Sequence, residues 1–354
     1  MGRTPAEAFR RHGEAAAGSA PLSAALALAL AGSDAALRAL GAVPARGRRP
    51  EAVLAALHDR ALAGSAPTLA VALAAGDAAA AGTAAVDALL QDTDAVAALL
   101  ARRRVRTDDT GPCAVLYPAV AEAAHRAGAD AVGLVDVGCA AGFALQLDRV
   151  ALGYSDGRAL GDPSSPVRLS ARVVGGRPVP ARAVPPVVAR VGVDPDPLDV
   201  TDPDDARWLR ACVGPDRPER AARLAAEVAL VTAEPPVLLR GDPVDVLPDA
   251  LARVPAGALP VVTTAWTLSG LAPADRLRFL ARLDEAAAGR PVAWVSVEGV
   301  GVAPAVPTLG DRRASGHSTV GVVVADGPVL SAEAVGRCWS RGSVLAWLAG
   351  ADGH

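Results

Sequence analysis

Lysine, asparagine and isoleucine are absent from all 354 residues, methionine occurs once, and aromatic residues make up only 3% of the chain. All 35 basic side chains are therefore arginines. Codons for the three missing residues are AT-rich, so the bias points to a GC-rich genome, and its chemical consequences hold whatever the cause. Without lysine there is no Schiff-base chemistry, no pyridoxal phosphate attachment, no P-loop of the G-x-x-x-x-G-K-[ST] type and no kinase lysine. So few aromatics leave little on which nucleobases can stack, and a net charge of −3 gives no electrostatic footprint for nucleic acid, which disfavours it as a partner. Cys113, Cys139, Cys212 and Cys338 are scattered and never form C-x-x-C, a pattern that argues against a zinc cluster or disulfide framework and fits a reducing cytoplasm.

Long apolar runs are also missing: none reaches the roughly 18 to 20 residues that span a bilayer. The stretch at 22–31 has the length of a signal-peptide core, but Glu7 and Glu14 precede it and Asp34 follows. Leu22, Leu26 and Leu30 fall at helical spacing, which predicts a packed helix and a cytoplasmic protein without a membrane partner.

What is present falls into two textures. Residues 1–128 are Ala/Leu-rich with helical periodicity; Pro50 opens a stretch in which Val53, Leu54, Leu57 and Ala61 share a face, and Gly64 stops it. This predicts an N-terminal all-α domain, with Arg102, Arg103 and Arg104 complementing a helix C-terminal dipole. Residues 129–354 alternate short Val/Leu-rich runs with helical segments, the pattern of an α/β domain with a mostly parallel sheet. Strands are expected at 132–137, 187–193, 236–240, 259–265 and 291–297, and helices at 141–150, 202–213 and 273–287. A Gly/Pro/Ser-rich stretch at about 153–186, around a β-like run at 167–174, reads as an inserted hairpin.

The string LVDVGCAAGF at 134–143 reads as a buried strand ending in Asp136, followed by a glycine turn that opens a helix. Gly138 and Gly142 let backbone approach a ligand, although Ala140 stands where a glycine fingerprint would have its middle glycine. Acids recur at the C-terminal ends of the expected strands: Asp136, Asp194, Asp242 and Glu298. In open α/β sheets that edge is where ligands bind, so the four carboxylates can share one crevice; each taken singly also suits a helix cap or turn.

This string resembles the first motif of class I S-adenosylmethionine-dependent methyltransferases. The resemblance implies a Rossmann-like fold and S-adenosylmethionine as the small-molecule cofactor. By it, Asp136 and the turn formed by Gly138, Cys139, Ala140, Gly142 and Phe143 face the methionine portion, Asp194 binds the ribose hydroxyls, and Asp242 lies beside the adenine amino group. Nearly the whole chain also resembles a bacterial, actinobacterial-type family catalogued as domain of unknown function 2332. The matching pieces are RTDDTGPCAVL at 106–116, VDVGCAAGFALQLDR at 135–149, GDPSSPV at 161–167, ARVGVDPDPLDVTDPDDARWLRACV at 189–213, RGDPVDVLP at 240–248 and WVSVEG at 294–299. Where family members often carry a T-N-E-V-G-R-like string, this chain has Thr107-Asp108-Asp109-Thr110-Gly111-Pro112. The missing amide and guanidinium put in doubt any role that depended on them.

Methyl transfer from a sulfonium requires in-line alignment and, for a protonated acceptor, a base. Candidates for that work are Asp108, Asp109, Glu298 and His317, the last in a loop-like Ser-Gly-His-Ser-Thr string. A small molecule and a protein both remain open as acceptor. Two other readings stand beside this one. The first is a non-catalytic protein that binds a nucleoside ligand or a partner on the same fold. The second is a serine hydrolase: Gly153-Tyr154-Ser155-Asp156-Gly157 fits G-x-S-x-G, and Asp242 and His317 follow in hydrolase order, although turn chemistry after Ser155 argues against a nucleophile elbow.

Overall fold

The computed structural model describes residues 4–106 and 108–350, so Thr107 of the TDDTGP string lies outside the described residues. Two compact units divide the chain: 1–108 with 201–225, and 109–200 with 226–354. The break therefore falls at 108/109 rather than at 128/129, and a segment from the middle of the chain joins the N-terminal unit.

In the first unit the described secondary structure is helical: α1 (Pro5–Ala16), α2 (Pro21–Gly32), α3 (Asp34–Ala39), α4 (Pro50–Leu62), α5 (Pro67–Ala75), α6 (Ala78–Gln91), α7 (Thr93–Arg102) and, after the return at 201, α9 (Pro203–Val213). Proline, whose fixed φ and missing N–H suit a first turn, opens α1, α2, α4, α5 and α9. The run at 22–31 is the packed helix its spacing predicts, with Leu22, Leu26 and Leu30 buried. No side chain at its own N-cap satisfies α2. Asp216 does so from 194 residues away, accepting the N–H groups of Leu22 (2.7 Å) and Ser23 (2.9 Å) and the Ser23 hydroxyl (2.5 Å). The arginine run ends α7, where Arg103 pairs with Asp205 and the Arg104 carbonyl accepts the Trp208 indole N–H at 2.8 Å. No single helix among the described residues is long and apolar enough to cross a membrane.

The second unit opens with α8 (Cys113–Arg126) and β1 (Val132–Val137). It continues through β2 (Ala151–Tyr154), β3 (Ala159–Gly161), β4 (Arg168–Val173) and β5 (Val187–Asp194). Then follow α10 (Pro218–Ala233), inside which the division at 225/226 falls, β6 (Val237–Arg240), α11 (Leu247–Leu251), β7 (Leu259–Ala265), α12 (Pro273–Ala287) and β8 (Val292–Gly299). An antiparallel tail of β9 (Ser318–Asp326), β10 (Val329–Trp339) and β11 (Val344–Trp347) ends it. The eleven strands form one sheet in the order β3-β2-β4-β11-β10-β9-β8-β7-β1-β5-β6. Pairing is parallel from β6 through β5, β1 and β7 to β8, and antiparallel from β8 to β11. The five parallel strands β1, β5, β6, β7 and β8 thus stand in the spatial order third, second, first, fourth, fifth, as in doubly wound nucleotide-binding sheets.

Strand alternation sends Leu134, Val261, Val295 and Val322 into a core covered by α8, and Val135, Val262, Trp294 and Val323 into a core covered by α11 and α12. Pro118 sits inside α8 and cannot donate to the Ala114 carbonyl four residues back; the Tyr154 hydroxyl does so instead, at 2.8 Å.

Two expectations are corrected. In place of a helix at 141–150 there are 3-10 turns over Phe143–Arg149, broken at Gln146 (φ −98, ψ 21). The Arg190 guanidinium takes the Leu145 carbonyl that a helix would use and also clasps Asp148 through two bonds of 2.7 and 2.9 Å. The 153–186 insertion is likewise not a free hairpin built on 167–174. Its hairpin is β2–β3, while β4 pairs in parallel with both β2 and β11, so the segment widens the main sheet.

Candidate functional site at the strand switch point

From β1 the chain builds outward to β5 and β6 on one side and to β7 and β8 on the other, so the order reverses at the C-terminal end of β1. Asp136 and the 138–142 turn sit there. The φ signs across that turn alternate, with Gly138 at +80, Ala140 at +51 and Gly142 at +75. Its N–H groups point inward: Gly138 (2.7 Å) and Cys139 (3.3 Å) donate to the Val193 carbonyl, and Gly142 to that of Cys139 (2.7 Å). Ala140 donates to Asp194 Oδ2 at 3.0 Å, while Asp194 Oδ1 accepts from Asp196 N–H at 2.8 Å. Asp194 is therefore the anion held by the turn. Cys139, Gly142 and Phe143 are buried; Gly138 and Ala140 are the turn residues that reach the surface. The Cys139 thiol fills the space where a Cβ on Gly192 would lie, 2.5 Å away.

Asp136 is buried, and its Oδ1 accepts the Thr263 hydroxyl at 2.6 Å from the neighbouring strand β7. Desolvation is the largest influence on its carboxyl and pushes it up to about 6; the Thr263 bond opposes this and the Asp194 charge adds to it. The Cys113 thiol at the start of α8 is raised well above its ordinary value, first by burial and then by the charges of Asp136, Glu227, Asp109 and Asp148. Glu227, fully buried on α10, accepts both the N–H (3.2 Å) and the hydroxyl (2.7 Å) of Thr110. Asp109 Oδ1 accepts the Gly111 N–H at 2.9 Å.

The same sheet edge carries residues that no sequence pattern had singled out. Trp266, just past β7, has φ +58, and its indole N–H donates to Ser318 Oγ at 2.8 Å. The Arg341 guanidinium lies 5.3 Å from the Trp266 ring centroid. Arg341 belongs to the β10–β11 turn, where Ser340 (+48), Arg341 (+54) and Gly342 (+94) all have left-handed φ. Among the described residues, four of the five non-glycine residues with positive φ thus lie at this one sheet edge, where backbone strain of about 1–3 kcal/mol each must be over-determined by surrounding contacts. Thr263 was legible only as half of a polar pair in an otherwise apolar strand, and Glu227 only as an acid on a helix.

The remaining expected site residues are dispersed. Asp242 follows β6 but is exposed, and its Oδ1 caps its own turn through the N–H groups of Val244 (2.9 Å) and Asp245 (3.3 Å). Asp108 belongs to the first unit, where its carbonyl accepts from Arg220 at 2.7 Å. Glu298 shares the strand parity of Trp294 and faces the α11/α12 side, whereas Asp136 shares that of Leu134 and faces α8. Its Oε1 accepts the N–H groups of Thr267 (2.8 Å) and Leu268 (2.9 Å), which ties the loop after β7; burial raises its carboxyl, and those N–H groups oppose the rise. His317 is held by Asp311 at 3.0 Å, and Arg337 pins Asp311 at 2.6 and 3.2 Å. Glu298 and His317 therefore do not join the carboxylates around Asp136.

A Ser155–Asp242–His317 triad is ruled out by the sheet order. Ser155 follows β2 and Asp242 follows β6, nine strand spacings away, or about 40 Å at 4.8 Å per spacing. The Ser155 hydroxyl instead accepts the Val173 N–H at 2.9 Å.

The fold and site define an α/β protein with buried carboxylates at the switch point of a mostly parallel sheet. More narrowly, the chain belongs to the family described as an uncharacterised protein conserved in bacteria, DUF2332, whose model matches residues 6–347. No curated protein matches it.

Proposed function

We propose that this protein is an S-adenosylmethionine-dependent methyltransferase acting at the β1–β5–β7 crevice. One observation carries the reading: the N–H groups of Gly138, Cys139, Ala140 and Gly142 are taken up within the protein, and the Asp136 and Asp194 carboxylates stand beside them at the ends of β1 and β5. A pyrophosphate, as in a dinucleotide, finds those four donors already engaged and the Asp136 and Asp194 carboxylates beside them. A cationic, hydroxyl-bearing ligand meets both acceptors and negative charge. Asp136 and Asp194 would hold such a cofactor, Asp136 toward the charged methionine portion and Asp194 toward the ribose hydroxyls. When bound, the cofactor supplies an electrophilic methyl group. Asp109, on the α8 side with Asp136, is then the candidate to accept an acceptor proton, and Trp266 walls the site.

Calorimetry with S-adenosylmethionine and S-adenosylhomocysteine at pH 5 and pH 7.5 tests this. S-adenosylmethionine should bind, and more tightly at the higher pH, because its extra positive charge favours ionised Asp136; Asp136→Asn should flatten that pH dependence. Absence of binding at both pH values refutes the proposal. The placement of Glu298 on the other face, and the hold of Asp311 on His317, favour a second reading, binding without turnover. Methyl transfer to any acceptor in a broad screen decides between the two.

A further inference from the structure

The second unit holds a cavity of about 630 Å3 whose walls include Glu122, Arg158, Arg177, Arg182, Val179 and Trp347. That volume lies within the range of small-molecule sites. Glu122 is nine residues beyond Cys113 on α8, so the cavity is displaced about 13 Å along the helix from the crevice carboxylates.

Three guanidiniums face one carboxylate among the lining residues. Arg158 Nη1 is anchored to Asp156 Oδ2 at 3.1 Å, and the same carboxylate oxygen accepts the Val179 N–H at 3.2 Å, which ties the β2–β3 turn to the cavity wall. Arg177 is anchored through Nη1 to the Leu348 carbonyl. Arg182 Nε lies 3.7 Å from Glu122 Oε2, and Arg126 Nε donates to the other oxygen of Glu122 at 2.9 Å. Arg158 and Arg177 each use one terminal nitrogen for the fold, and a guanidinium carries five N–H donors in a fork suited to carboxylate or phosphate. Pro178, Val179, Pro180 and Trp347 add an apolar wall.

We propose that this cavity binds a small dianion with an apolar body, a phosphomonoester or a dicarboxylate, whose head pairs with Arg158 and Arg177 and whose body rests on the Pro178, Pro180 and Trp347 wall. The net positive lining matches a dianion, and the buried Glu122 on Arg126 and Arg182 fixes the floor against which the head is placed. The site stands independently of the methyltransferase reading.

Calorimetry at low ionic strength with inorganic phosphate, phenyl phosphate and phenylsuccinate tests it. Phenyl phosphate or phenylsuccinate should bind more tightly than inorganic phosphate; whichever of the two prevails identifies the head group. Arg158→Gln with Arg177→Gln should weaken binding by about tenfold or more, as should added salt. Arg177→Gln alone, at an exposed position, keeps the test valid if the double variant does not fold, and should itself weaken binding. The proposal is overturned if neither phenyl probe binds more tightly than on the order of 10 mM. Affinity in the folded variants equal to that of the parent overturns it too, and so does affinity for inorganic phosphate equal to that for both phenyl probes.

Discussion

Replacing Asp136 with asparagine should make the protein more stable at neutral pH and remove part of the pH dependence of its stability. Burial raises the Asp136 carboxyl from 3.8 to about 6, so the native state holds a proton that the unfolded chain has already released. Stability linked to this group is fully present below the unfolded value and is lost as pH rises through the native one. Over the whole interval the loss approaches about 3 kcal/mol, and between pH 4.5 and 7.5 it is about 2 kcal/mol. Asparagine keeps an oxygen for the Thr263 hydroxyl and carries no charge to desolvate. Urea unfolding of parent and variant at several pH values measures the difference. The variant should gain about 2 kcal/mol relative to the parent on going from pH 4.5 to 7.5. A constant difference across that range would refute the assignment of a raised carboxyl at this strand end.

Other consequences follow from the packing. Asp216→Ala should destabilise the helical unit by about 2 kcal/mol, because α2 loses the carboxylate that accepts from its first turn, and Asp216→Asn should lose less; thermal unfolding by circular dichroism reads both. Tyr154→Phe should cost about 1–3 kcal/mol by leaving the Ala114 carbonyl without the donor that Pro118 cannot supply, seen as a lowered urea midpoint. Gly138→Ala places a Cβ 2.2 Å from Thr267 Oγ1 at a φ of +80, and should cost at least about 2 kcal/mol; Thr267→Ala should restore only the steric part.

The expected strands at 132–137 and 259–265 match β1 and β7 to the residue, because a strand buried on both faces is rich in Val and Leu on both parities. The 273–287 helix is equally well marked by Pro273 and the Leu277–Leu280–Leu283 spacing. β10 carried no comparable mark, since it is largely polar or exposed in its first half and gains its burial from partners far along the chain, whereas the Val-rich run of β9 was legible but not among the expected strands. At the site, Asp136 and Asp194 were legible as strand-end acids, whereas Trp266 and Arg341 meet only through the fold. The parity that sends Glu298 to the opposite face is visible once the register of β8 is known; the kinked turns at 143–149 depend on Arg190, which no local pattern announces.

Because α9 completes the helical unit, that unit is not a contiguous stretch of chain. During synthesis the first seven helices emerge more than a hundred residues before α9 does. At translation rates of about 5–20 residues per second, the α4 surface that receives α9 waits on the order of ten seconds for its cover. Excising residues 1–108 would make that delay permanent, leaving buried apolar surface bare and aggregation-prone, so the helical unit is best obtained only with the segment at 201–225 attached.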